Sequence, residues 1–263
     1  MASKACIFCG GRPLTAEHLV PGWANEALSA LIPRPPQSGM KWTLIHRRLK
    51  DGAPMGQTWS TDTVSLTSKC VCGPCNNGWM GDIEALAKPI LEPLIRGEPT
   101  DLSRSDEATI AKWLGLKAII DQNSHEPPPH HDEWLRAFYD DRCPPTAWHT
   151  RLGYYVGTEW TGSFAGVGID FTQHHRLVPF AMKSPGFIFT AVLGHFIGQV
   201  VGGRRQGVIP MNTQYFIEIW PHPILRVAQY SVGPDRVSQR WPPERGLDDP
   251  LLLKCIADLS EPK

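Results

Sequence analysis

Two short cysteine pairs, Cys6-x-x-Cys9 and Cys72-x-x-Cys75, bracket the first third of this 263-residue chain. A two-residue spacing lets one tight turn present two sulfurs to a single ion, and four thiolates from two such turns suit tetrahedral Zn2+. An ion held in this way closes the long loop between the pairs and ties residues 1–80 into one unit. Glu17-His18 follows the first pair, and Asn76-Asn77-Gly78-Trp79-Met80 continues from the second. The structural ion therefore brings an acid-histidine pair close to an amide. Cys70 lacks a partner at two-residue spacing and reads as the spare thiol. Cys143 and Cys255 are isolated and read as small buried residues.

The chemistry of Glu17, His18 and Asn76 differs from that of the sulfurs. Histidine has the side-chain pKa closest to neutral, so His18 can take a proton from water near pH 7. A carboxylate and an amide oxygen are hard donors that suit Mg2+ or Mn2+, which leave coordination places for water and phosphate. Soft and hard ligands thus fall into two separate sets, a segregation that an ordinary zinc ribbon does not need.

On these residues the chain resembles the HNH (ββα-metal) endonucleases in their zinc-knuckle form, over roughly residues 1–85. The resemblance implies a strand-turn-strand hairpin carrying Glu17-His18 and a helix beginning after the second knuckle with Asn76. It implies His18 as the general base, and Glu17 and Asn76 as ligands of one catalytic Mg2+ or Mn2+ ion. The family also has a central Asn before the second knuckle that braces the loop carrying the histidine. This chain reads Ser65-Leu66-Thr67-Ser68 there, so another group must supply the brace. Residues 24–60 exceed what a minimal hairpin needs and read as an insertion.

Charge gives little help to a nucleic-acid reading, because 26 basic residues balance 26 acidic ones and phosphate neutralisation supplies most nonspecific affinity. Residues 1–100 hold 10 Lys and Arg against 8 Asp and Glu. The run from Lys41 to Lys50 concentrates that excess, with Lys41, Arg47, Arg48 and Lys50 as the candidate contacts to a nucleic-acid backbone; a solvated strand and turn is the other reading. The odd cysteine count and the start Met-Ala-Ser-Lys-Ala-Cys point to a reducing, cytoplasmic setting without a secretory leader. Phe187–Val201 is apolar but falls short of the roughly 18–20 residues of a membrane span, and reads as one or two buried strands.

The chain divides near residue 100. A helix is expected from about Asp82, capped there, carrying Ile83, Leu86, Ala87, Ile90, Leu91 and Leu94 and kinked or broken by Pro89 and Pro93. Trp79 and Met80 read as packing residues, and Asp82 and Glu84 either as outer-shell partners of the metal site or as simple helix-start acids, the commoner case. Gly97-Glu98-Pro99-Thr100 reads as a linker. Ser103 or Ser105 then caps a helix bearing Ile110, Trp113, Leu114, Lys117 and Ile120, with Lys117 at the rim, covering apolar surface with its stem. A short helix through Trp134, Leu135 and Phe138 follows. Segments 152–157, 163–171, 186–201, 214–220 and 224–230 read as an antiparallel sheet, and a last helix follows Pro250. The His130-His131 and His174-His175 pairs lack neighbouring ligands and stay unassigned. Gly202–Gly207 lacks the lysine of a P-loop and reads as a basic turn.

The sequence thus predicts an α+β protein. Residues 1–98 form a zinc-stabilised HNH domain with an insertion, and residues 101–263 form a helix-then-antiparallel-sheet domain. That second domain is open to DNA recognition, sensing or homodimerisation. The expected activity is hydrolysis of phosphodiester bonds in DNA rather than RNA, with no membrane partner, in a restriction, phage or defence setting. The alternative is an inactive or ligand-gated zinc module that binds nucleic acid or protein.

Overall fold

The computed structural model describes residues 5–31, 42–50, 53–61, 67–123, 132–157, 163–169, 186–202, 215–220, 237–243 and 245–252. It is a mixed α+β fold. Strand β1 (Leu14–His18) pairs antiparallel with β4 (Thr67–Cys72), from Leu14 opposite Cys72 to His18 opposite Thr67, with a register irregularity between Thr15 and Glu17. Helix α1 (Gly22–Leu31) follows β1. The insertion between them and β4 includes a two-stranded ribbon, β2 (Trp42–Lys50) with β3 (Ala53–Thr61). Arg47, Arg48 and Lys50 fall in the C-terminal half of β2; Lys41 lies outside the described residues.

Helical structure begins at the second knuckle, earlier than Asp82. A short turn, α2 (Gly73–Cys75), runs through a wide turn at Asn76–Met80 into α3 (Gly81–Ile95). Asp82 therefore stands exposed inside the helix and does not cap it. Nor do Pro89 and Pro93 break α3. They lie one turn apart on its wetter side, where water can serve the carbonyls that lose their N–H partners. Meanwhile Ile83, Ala87, Leu91 and Leu94 hold the opposite face in the core, whereas Leu86, one residue off that stripe, is exposed despite its expected place on it. Gly97, with φ of +74°, ends the helix in the left-handed conformation that glycine adopts without strain.

The expected linker is structured from Thr100 onward. Strand β5 (Thr100–Ser103) anticipates a distant partner, which the sequence reading missed. Helix α4 (Arg104–Gln122) starts with a reciprocal cap: the Asp106 N–H donates to Ser103 Oγ and the Ser103 N–H donates to Asp106 Oδ2. Almost every residue of α4 from Ile110 to Gln122 is buried, as befits a helix surrounded by packed structure. Helix α5 (Asp132–Asp141) buries Trp134, Leu135 and Phe138, as the periodicity predicts. Cys143, expected to be buried, is half-buried.

A five-stranded antiparallel sheet follows. Its strands are β6 (His149–Tyr154), β7 (Ser163–Ile169), β8 (Gly186–Leu193), β9 (Phe196–Gly202) and β10 (Phe216–Trp220), in the spatial order β10-β6-β9-β8-β7. The apolar run at 187–201 thus folds as two strands joined at Gly194-His195. Strand β11 (Val237–Trp241), unanticipated, pairs with β5. The expected strand at 224–230, the last helix beyond Leu252, Cys255, His130, His131, His174, His175 and most of the basic turn at 202–207 lie outside the described residues. Among the described residues, no helix is long and apolar enough to cross a membrane.

Packing is continuous across residue 100. A single core cluster joins Leu19, Leu28 and Leu91 to Trp113, Leu152, Phe196 and Trp241. Helix α4 lies between α3 and the sheet and comes close to β9 at Gly198, where a Cβ would collide with Leu114. The turn after β8 is fixed to the end of α3 by a 2.9 Å hydrogen bond from the His195 N–H to the Ile95 carbonyl. The other face of the sheet carries a smaller cluster of Tyr155, Val192, Ile197, Phe216, Leu247 and Leu252.

Candidate functional site

The β1–β4 pair brings the two knuckles together, because one precedes β1 and the other ends β4. The first knuckle is a tight turn: the Gly10 N–H donates to the Cys6 carbonyl at 2.8 Å, and the Ile7 N–H donates to the Cys70 carbonyl of β4 at 3.0 Å. Sulfurs of Cys6, Cys9, Cys72 and Cys75 all lie within 4.8 Å of one another. Cys9 Sγ is 3.4 Å from Cys72 Sγ and 3.5 Å from Cys75 Sγ. Zn–S bonds of 2.3 Å in a tetrahedron separate sulfurs by about 3.8 Å, so this set fits a metal such as zinc with little adjustment.

The thiols differ in acidity. Burial opposes ionisation of Cys6, but the backbone N–H groups of Cys9, Cys72 and Phe8 outweigh it and bring the thiol down to about 7. Burial pushes Cys72 and Cys75 up from the ordinary thiol value. Cys70 stays outside the four-sulfur group, buried, with its thiol pushed up to about 11 chiefly by desolvation. It is the spare that the spacing implies.

Trp79 and Met80 pack, as expected. Met80 is buried. Trp79 meets Phe8 of the first knuckle edge-on at 5.0 Å and Tyr139 of α5 at 6.0 Å, and the Arg142 guanidinium lies 4.2 Å over its ring. The knuckles are thereby wedged against a helix from the second part of the chain.

Asn76 and β1 meet directly. Asn76 Nδ2 donates to Thr15 Oγ1 at 3.1 Å and to the Ala16 carbonyl at 3.3 Å, while Thr15 Oγ1 donates to the Val71 carbonyl. The second knuckle thus fixes the strand that carries His18. His18 is exposed, and its neighbour Glu17 is buried. Alternation along the strand explains the difference, because consecutive side chains leave a strand on opposite sides.

Lys117, expected at the rim, is instead completely buried. Its Nζ donates to Glu17 Oε1 at 2.6 Å and to the His18 carbonyl at 2.7 Å. Glu84 Oε1 of α3 lies 2.5 Å away, a charge contact rather than an aligned hydrogen bond. The physical reason for the correction is the company it finds. A lysine inside a helix buried on all sides has no route to water for its head group, and two carboxylates plus a carbonyl take water's place. The signal was present in the sequence as one charged residue inside Trp113-Leu-Gly-Leu-Lys-Ala-Ile-Ile120.

This arrangement does not fit a divalent ion shared by Glu17 and Asn76. Glu17 faces inward onto an ammonium, and Asn76 turns its amide N–H groups onto β1. Among the described residues, the four cysteines form the only group of three or more His, Cys, Asp or Glu ligand atoms lying within 4.8 Å of one another. The structure therefore joins Cys6, Cys9, Cys72 and Cys75 into one site and sets Asn76 beside β1, while separating Glu17 from the exposed His18. No family model, curated protein or solved structure matches the chain.

Proposed function

We propose that the chain is an HNH-type endonuclease acting on DNA in the cytoplasm, with a structural zinc ion in the four-cysteine site and His18 as its general base. The observation that carries the reading is the exposed His18 on a strand held by Asn76 of the second knuckle. An antiparallel strand pair followed directly by a helix, with the sulfur cluster at its end, supports the ββα arrangement.

In this reading His18 takes a proton from water as the water oxygen attacks phosphorus. The bond from phosphorus to the 3′ oxygen breaks, leaving a 5′ phosphate and, once the oxygen is protonated, a 3′ hydroxyl. Arg47, Arg48 and Lys50 of β2, with Lys41 before it, contact the backbone of the substrate.

Incubation of supercoiled plasmid with the zinc-loaded protein, with and without Mg2+ or Mn2+, tests the proposal beside a folded His18→Ala variant. Nicking or linearisation that the variant loses supports it, and the same assay reads the divalent-ion requirement. Equal cleavage by both proteins, or none by either, overturns it. The capture of Glu17 by Lys117 favours a second reading, a zinc-containing nucleic-acid-binding or protein-interaction module that is silent or awaits a ligand; absence of cleavage with retained zinc points there.

A further inference from the structure

We propose that Lys117 is a positioning residue of the His18 site: a cation supplied by α4 that braces the His18 carbonyl and neutralises Glu17, so that Glu17 acts through Lys117 and not as an ion ligand. The inference rests on the nuclease reading for its kinetic consequences, but its structural core does not need it.

Three observations converge. An ammonium has three N–H donors, and Lys117 Nζ has three close oxygen neighbours: Glu17 Oε1, the His18 carbonyl and Glu84 Oε1. Its side chain is wholly inside the protein, so these oxygens replace its hydration. A cation so enclosed is held in one place, and the peptide unit after His18 is held with it.

The second observation is the brace that the sequence lacks. Thr67 stands opposite His18 in the β1–β4 pair, where no asparagine is available. The group that does reach the His18 backbone comes from α4, 99 residues away in sequence. The part of the chain after residue 100 thus completes the loop that carries the histidine.

The third is direction. Glu17 and His18 leave β1 on opposite sides, one buried and one exposed. A divalent ion bonded to Glu17 Oε1 at about 2.1 Å would sit no more than about 4.7 Å from Lys117 Nζ, given the 2.6 Å ion pair. Two cations would then compete for one buried oxygen, on the side of the strand away from His18.

The test uses the full-length, zinc-loaded protein as Lys117→Met, Glu17→Gln and the double variant Lys117→Met/Glu17→Gln, with cleavage rate measured against Mg2+ concentration. Glu17→Gln is expected to keep its half-saturating Mg2+ within about twofold of the parent. Lys117→Met lowers kcat by about 100-fold with little change in KM, the scale of a small misplacement of a catalytic group. The double variant removes the unpaired charge of the more buried Glu17 and regains part of the unfolding midpoint that Lys117→Met loses, Glu84 still lacking its cation. It stays slow, because the His18 carbonyl still lacks its donor.

The Leu19 amide, in the same peptide unit as that carbonyl, reports the brace by nuclear magnetic resonance. Its shift moves in both Lys117 variants and remains near the parent value in Glu17→Gln. Recovery of rate and Leu19 shift in the double variant would reduce Lys117 to a structural ion pair and overturn the proposal. So would a tenfold or greater rise in half-saturating Mg2+ for Glu17→Gln with kcat regained at saturation. If the parent protein cleaves nothing, the nuclease reading fails separately. The Leu19 amide then decides: a shift moved in the double variant upholds the brace, and an unmoved one removes it.

Discussion

Lys117 Nζ and Glu17 Oε1 meet at 2.6 Å across 100 residues of sequence, with the lysine fully enclosed. The pair joins helix α4 to the strand that carries His18, so the knuckle region and the second part of the chain are not energetically separate. Breaking a buried ion pair from one side is far costlier than its net contribution would suggest, because the remaining charge has neither water nor partner.

A fragment ending at residue 98 should therefore fail to fold as a unit. It would retain all four clustered cysteines yet lose Lys117, leave Glu17 and Glu84 without their cation, and expose Leu19, Leu91 and Leu94, which sit in the shared core. The expectation is that the fragment binds zinc but gives no cooperative thermal transition, whereas the full chain does. A sharp transition in the zinc-loaded fragment would show that residues 1–98 hold a core of their own.

Zinc removal should loosen the knuckle region, since the four clustered sulfurs lose the ion that joins them and only the β1–β4 ladder, the Phe8–Trp79 contact and the Asn76 hydrogen bonds still hold the two turns together. Cys72→Ser is expected to lose zinc, measured by mass spectrometry under native conditions, and to destabilise the protein by several kcal/mol. Cys70→Ser should retain full zinc, because Cys70 lies outside the sulfur cluster and its buried thiol is held at about 11. Loss of zinc in the Cys70 variant would require a different ligand set.

The parts legible in the sequence were those with a local signal. Cysteine spacing located the sulfur group, helical periodicity found α4 and α5, and Ser103 was a visible cap. What escaped depends on long-range geometry. Strand β5 is four residues long and is a strand because Val237–Trp241 lies beside it. Pro89 and Pro93 are tolerated because their side of α3 is wetter. The environment of Lys117 is set by Glu17 and Glu84 from two other elements, so no reading of α4 alone could name its partners. Glu17 and His18 were grouped as neighbours in sequence, but strand alternation separates them in space.

Gly198 offers a test of how closely the central helix meets the sheet. A side chain at this position would drive into Leu114 of α4 and the ring of Phe196. Gly198→Val should destabilise by about 1–3 kcal/mol, the usual cost of overpacking, as read by urea denaturation. Leu114→Ala in the same chain should recover part of that loss, since the two sites share one space. Strictly additive effects would mean that α4 and β9 do not press on each other here.

Zinc affinity should depend steeply on pH, with a sign fixed by the thiols. Metal ligands must be thiolates, and burial raises Cys72 and Cys75 so that both carry protons at neutral pH in the metal-free protein. Release of these two protons alone makes affinity rise by at least about 100-fold per pH unit, tenfold for each proton displaced. Cys6, brought down to about 7, changes the slope: above that value it is mostly ionised and adds nothing, and below it a further proton must leave. The curve of affinity against pH should therefore steepen as pH falls through 7. Competition against a chelator of known pH dependence, from pH 6 to pH 8, measures the slope. A slope of one decade per unit or less above pH 7 would mean that Cys72 or Cys75 is already ionised, held by donors from its own turn strongly enough to defeat burial.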